Sequence, residues 1–306
     1  MTADQALIFF AGIVGGALRV GAPFLFVSLG ECLTEKSGRI NLGLEGVLVF
    51  SAMSAFGASY VSGSPWVGVF AAAATGGLLA TLHGVLCSLP GVNDVATGIA
   101  LMLLGMGLAF YLGKPLIQPQ APQLPFIALG NWSDSSAVRS ALQVNALVPI
   151  GLVIAAIMTW GFANTRVGLL VRMAGDSANA TRALGYSVAG IRIAATAAGG
   201  MIAGLGGACL TLFYPGSWNE GVSSGQGLIA VALVIFARWS PVRCVWAAML
   251  FGGAGAIGPA LQSVGIGWGY HLFNTVPYVL TLLILVITCK PGSIINGSPG
   301  ELSSAR

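Results

Sequence analysis

Long apolar runs separated by short polar breaks dominate this chain. They fall at about 8–30, 40–60, 66–88, 95–112, 143–163, 193–213, 223–237, 244–263 and 275–289. A helix needs roughly 17–25 such residues to cross a hydrocarbon core. The pattern therefore predicts about nine transmembrane helices, within a range of eight to ten, the shorter ones tilted or broken. The runs are continuous, whereas strands of a membrane barrel alternate over about ten residues, so a β-barrel is not expected. The fold class is an all-α polytopic membrane protein, with residues 1–306 as one transmembrane domain.

Composition agrees with the pattern. Of 306 residues, 56% are apolar and 7% are charged, against roughly 25% charged in soluble domains. The 45 glycines suit close helix contacts in lipid. Pairs such as Gly12/Gly16 and Gly200/Gly204, and the dense run 199–207, read as packing seams. The net charge of +4 is a topology signal here. Lys36, Arg39, Arg166, Arg172, Arg182, Arg192, Arg238, Arg243, Lys290 and Arg306 fall on one set of loops, ten of the thirteen basic residues. Lys114 and Arg139 fall on the other, and Arg19 lies inside the first run. Basic loops face the cytoplasm, which puts the C-terminus inside and the N-terminus outside. Arg19 marks either an ordinary position in the first span or the true outer edge, with the preceding residues along the interface.

Three polar regions interrupt the apolar background. The island 164–186 holds three arginines and one aspartate. Its core, Gly175-Asp176-Ser177-Ala178-Asn179-Ala180-Thr181-Arg182-Ala183-Leu184-Gly185, reads as a short helix. Asp176 or Ser177 would accept from its first N–H groups, and Gly185 would supply a left-handed stop. It is either a handle for another protein or an ordinary orienting loop. The second region, Ser37 to Gly46, places Glu45 a turn or two inside a span, where an ionisable group faces a cavity or a partner. The third, Pro90 to Gly98, reads as a re-entrant turn or as a simple cap on the fourth span at Asp94. On the outer side, 113–142 carries Pro115, Pro119, Pro122 and Pro125. Prolines at that density favour extended geometry, in a linker or in a docking loop for a soluble partner.

Catalytic chemistry is not visible. There is no Gly-x-x-x-x-Gly-Lys-Ser/Thr sequence, so ATP hydrolysis by a P-loop is not expected on this chain. Cys32, Cys87, Cys209, Cys244 and Cys289 are scattered singly and read as small core residues. His83 and His271 stand alone and read as structural. The N-terminus lacks a basic region, so no cleaved signal peptide is expected.

The sequence Gly30-Glu31-x-Leu33-x-Glu35-Lys36-Ser37-Gly38-Arg39-Ile40-Asn41-Leu42-Gly43-Leu44-Glu45-Gly46 resembles ABC-transporter permeases of the branched-chain amino acid/ribose class. It is most similar to the simple-sugar/nucleoside branch, in which Asn-x-Gly-x-Glu-Gly follows a Ser-Gly turn. Thr165-Arg166-x-Gly168, the island and the glycine-rich run 199–207 resemble that class's coupling loop and its flanks. Asn93-Asp94-Val95-Ala96-Thr97 resembles the region between its third and fourth spans. The likeness covers about residues 15–290.

The resemblance implies a type II-like ABC importer permease in a bacterial inner membrane. Its partners would be a second, homologous permease, a two-cassette cytoplasmic ATPase and an extracytoplasmic binding protein. No cofactor is expected on this chain, ATP and Mg belonging to the ATPase. Within the cytoplasmic loop 164–192, Gly175, Asp176, Ser177, Asn179, Ala180, Thr181, Arg182, Leu184 and Gly185 would couple to the ATPase. Asn41, Glu45, Asn93, Asp94 and Thr97 would border the substrate path. The expected cargo is a nucleoside or related nucleobase compound, with a simple sugar as the alternative. An ion-coupled carrier using Glu45 and Asp94, or a scaffolding subunit, are the competing classes. Glu45→Ala is expected to alter transport more than assembly.

Overall fold

A computed structural model describes residues 3–213, 216–263, 275–288 and 297–304. His271, Cys289, Lys290 and Arg306 lie outside them. Each of the nine expected segments contains an apolar helix: α1 (Ala3–Lys36), α2 (Leu44–Ser62), α3 (Pro65–Leu86), α4 (Asp94–Gly113), α6 (Leu147–Asn164), α9 (Val188–Leu212), α10 (Gln226–Phe236), α11 (Pro241–Ser263) and α12 (Val276–Thr288). Seven are long and apolar enough to cross a membrane; α10, with 11 residues, is not. At 1.5 Å per residue it covers about 16 Å, roughly half the hydrocarbon core.

The first span is longer than the hydropathy pattern predicts. α1 has 34 residues, about 51 Å, against a core of about 30 Å. The arginine inside it explains the excess. Arg19 donates to the Ala141 carbonyl at 2.5 Å, in the loop that follows α4. From Arg19 to Lys36 is about 26 Å, one crossing. The turns before Arg19 continue past this contact, where Ala11 packs with Val138 and Leu142.

Glycine seams set the packing. α9 has small residues on several sides, and added Cβ atoms there would collide with neighbouring backbone: Gly199 against Gly30 of α1, Gly200 and Gly204 against Gly76 and Ala72 of α3, Gly207 against Leu48 of α2. Backbones this close gain dispersion contacts that lipid cannot match. Thr211 Oγ1 adds a bond to the Ala52 carbonyl at 2.8 Å. α11 lies along α1 through Gly12, Gly16 and Gly21, which meet Ala260, Ala256 and Ala248.

The proline-rich loop 113–142 is more ordered than an extended segment. A 3-10 turn, Lys114–Leu116, leads to strand β1 (Phe126–Ala128), which pairs antiparallel with β2 (Gln143–Asn145) around a short helix α5 (Ser136–Ala141). The prolines end before β1, so Phe126, Ile127 and Ala128 keep the N–H groups that a ladder needs. Leu124 N–H reaches the Leu212 carbonyl at 2.8 Å, fastening the loop to the end of α9.

Candidate functional site

The charged island folds as two helices. Amphipathic α7 (Arg166–Asp176) opens at Thr165, whose hydroxyl accepts from Gly168 N–H at 3.0 Å. Ser177 is extended, ends α7 and caps α8 (Ala178–Ala183) by accepting from Ala180 N–H at 3.2 Å. Of the two candidate caps, Ser177 serves; Asp176 is the exposed last residue of α7. Gly185 has φ +82°, with Gly185 N–H to Arg182 O at 2.9 Å and Tyr186 N–H to Thr181 O at 3.2 Å. That pair of bonds closes a left-handed helix stop. Thr181 is buried beneath α8. Asn179, Ala180, Arg182, Leu184 and Tyr186 face outward, Leu184 at 63% and Tyr186 at 49% exposure.

The root of this knob is welded to the end of α1. Gly175 is buried where a Cβ would overlap the Lys36 carbonyl. Arg192, about one turn into α9, completes the joint. Its guanidinium donates to Ser37 O at 3.0 Å, to Ala174 O at 2.9 Å and to Glu301 at 3.2 Å. Glu301 belongs to α13 (Gly300–Ser304) and also accepts from Ala178 N–H at 2.9 Å, a carboxylate at the helix start where it is favoured.

Burial pushes the Glu301 carboxyl upward, but the Ala178 N–H and the Arg192 guanidinium outweigh it and leave it below its ordinary value of 4.5. A depressed carboxyl stabilises the docked segment above the unfolded value and ceases to do so as pH falls through the folded one. Hydrogen exchange at 300–302, corrected for intrinsic rates, should thus show constant protection from neutral pH to about 4.5, then loss below it. Glu301→Gln should remove that pH dependence. Protection that declines between pH 7 and 5 would contradict the assignment.

From the same joint the chain turns into α2. Asn41 is buried; its N–H donates to Glu31 Oε1 at 2.8 Å, and its side chain accepts from Gly43 N–H at 2.9 Å. His83 Nε2 lies 3.1 Å from the Ile40 carbonyl. Arg39 pairs with Asp94 at 2.6 Å. Asn93, rather than Asp94, caps α4, accepting from Val95 and Ala96 N–H at 2.9 and 3.0 Å. Thr97 Oγ1 donates back to the Asn93 carbonyl at 2.9 Å. Four of the five pathway candidates thus gather where the 39–43 turn meets the start of α4.

Glu45 points elsewhere. It is 4% exposed, and its carboxylate faces the start of α10. Ser223 Oγ donates to it at 2.5 Å, Gly225 N–H at 3.1 Å and Gly227 N–H at 2.7 Å. A Cβ on Gly227 would sit 2.6 Å from Glu45 Cα. This charge in a membrane span is a helix cap between elements far apart in sequence.

Sequence reasoning passed over Arg192, counted only as an orienting charge, and also Glu301, Ser223 and the Glu35–Trp239 bond that ties α1 to the turn before α11. One signal was available: Ser223-Ser224-Gly225-Gln226-Gly227 opens an apolar run whose first N–H groups need acceptors.

The helical bundle is that of a multi-pass membrane protein. A family described as the permease component of the branched-chain amino acid transport system matches residues 13–289, and the chain belongs to this permease family, a membrane transport component. It is similar to a putative glucose ABC transporter permease of Haloferax volcanii, 30% identical over 90% of this chain and 91% of that one. A nucleoside ABC transporter permease of Lactococcus lactis is 25% identical over 90% and 91%. A guanosine ABC transporter permease of Bacillus subtilis is 27% identical over 89% and 90%. The Haloferax and Bacillus species each hold a second matching permease, of glucose and guanosine respectively.

Proposed function

We propose that this chain is one permease of a heteromeric ABC importer for nucleosides or related nucleobase compounds, with α8 as the coupling helix that meets a two-cassette ATPase. The observation that carries the mechanism is the joint at Arg192. It binds the root of α8, the Ser37 turn and the C-terminal segment through one planar cation. A push on α8 therefore reaches the turn that holds Asn41 and the Arg39–Asp94 pair. That turn leads into α2, and Glu45 passes the displacement to the short helix α10. The helix ends carrying Asn41, Glu45, Asn93, Asp94 and Thr97 border the path in this mechanism.

The arginine-rich ends face the cytoplasm in this reading, and the proline-rich loop meets the binding protein outside. Permease pairs among the relatives support a second, homologous subunit. ATP and Mg act on the ATPase. A simple-sugar cargo is the second reading, favoured by the Haloferax glucose relative. Tagged chain purified from its native membrane should bring down a second permease and a two-cassette ATPase in stoichiometric amounts. Competition of nucleosides and sugars for uptake then separates the cargoes. A folded chain recovered alone or as a homo-oligomer would overturn the importer assignment in favour of an ion-coupled carrier.

A further inference from the structure

A second cluster of cations plays no part in the joint just described. Lys36 at the end of α1, Arg172 on α7, and Arg238 and Arg243 around the α10–α11 turn line one cavity of about 440 Å³. Among the described residues, no acidic side chain lines it. Arg172 Nε is buried without a hydrogen-bond partner. Four like charges around one space repel one another, and the desolvated guanidinium forfeits bonds that water would give.

The turn that presents two of them is strained. Arg238 and Trp239 have φ of +49° and +52°, a left-handed backbone that costs side-chain-bearing residues on the order of 1–3 kcal/mol each. Trp239 is held there by its indole bond to Glu35, which leaves Arg238 exposed at the cavity mouth. Such a lining suits an anion.

The surroundings distinguish a lipid from a soluble anion. The cavity wall includes Phe162 and Ala163 from the last turn of α6 and Pro241 from the first turn of α11. Beside them, Trp160 and Trp246 are 62% and 72% exposed, and Ile157 is 60% exposed. Tryptophans at span ends sit at headgroup level, and the apolar flanks suit acyl chains. We propose that this cavity binds the phosphate headgroup of an anionic phospholipid, such as phosphatidylglycerol, on the membrane face assigned above as cytoplasmic. The inference rests on that orientation, but its readout involves neither ATPase nor cargo, so its failure leaves the importer reading untouched.

Native mass spectrometry of the purified full chain, exchanged into detergent with equal phosphatidylglycerol and phosphatidylcholine, tests it. Wild type should retain phosphatidylglycerol selectively. Each basic residue near the surface contributes about 1 kcal/mol, so the triple variant Arg172→Gln, Arg238→Gln, Arg243→Gln should bind it roughly a hundredfold more weakly. Lys114→Gln, on the opposite face, should bind as wild type does. Equal retention of both lipids, or unchanged retention by the triple variant, overturns the proposal. Displacement of the lipid by inorganic phosphate, with phosphate remaining bound, assigns the cavity to a soluble anion and also overturns it. Should the triple variant fail to fold, the thermal midpoint of wild type decides: a rise with phosphatidylglycerol but not with phosphatidylcholine supports the site, and equal response to both overturns it.

Discussion

Replacing Arg192 with alanine should uncouple ATP hydrolysis from uptake while leaving membrane insertion intact. The guanidinium joins three separate pieces of chain, Ser37, Ala174 and Glu301, at 3.0, 2.9 and 3.2 Å. None of these contacts lies between spans in the apolar core, so the bundle keeps its glycine seams. What disappears is the rigid link between α8 and the 37–43 turn. Couplings of this kind are worth about 1–3 kcal/mol, or roughly 5- to 150-fold. Uptake in proteoliposomes holding the full complex should fall by at least about fivefold per ATP hydrolysed. Arg192→Lys keeps the charge but cannot span three acceptors with one ammonium, so it should recover only part of the ratio. An unchanged uptake-to-hydrolysis ratio in the alanine variant would remove Arg192 from the mechanism.

The second large effect falls on Glu45, and it is one of stability before transport. Alanine there leaves the buried Ser223 hydroxyl and Gly227 N–H, and the partly buried Gly225 N–H, without their acceptor. Bonds to a charged group are worth about 1.5–3 kcal/mol each, and a neutral donor left unsatisfied in the interior costs about 1–3 kcal/mol. Glu45→Gln keeps the shape and one acceptor oxygen, so the thermal midpoint in detergent should rank wild type above glutamine above alanine. The sequence by itself points the other way, to an effect on transport more than on assembly. A Glu45→Ala protein as stable as wild type would show that the start of α10 does not depend on this cap.

The spans and their punctuation were legible because their causes are local. Apolar runs mark the helices. Ser177 sits just before α8 with a short acceptor side chain, and Gly185 follows α8 where only a left-handed residue fits; for α4 the sequence points to Asp94, one residue past the actual cap at Asn93. What could not be read were contacts joining distant stretches. Glu45 and Gly227 are 182 residues apart, and Arg19 and Ala141 are 122 apart. In one dimension each looks like a polar group misplaced in lipid, and only the packed helices reveal its partner. Arg192 was hidden for another reason. A lone arginine near a span end satisfies the charge rule for orientation, so nothing in the sequence asked for a second role.

The most direct test of the central claim asks what α8 touches. A photoreactive benzoylphenylalanine at Leu184, which is 63% exposed, can be irradiated in native membranes without disturbing the buried thiols at Cys32, Cys87, Cys209 and Cys244. The account predicts a single cross-link to a two-cassette ATPase, absent when the probe is moved to Trp132 in the proline-rich loop. A cross-link at Leu184 only to lipid or to another permease, in membranes where the ATPase is present, would contradict it.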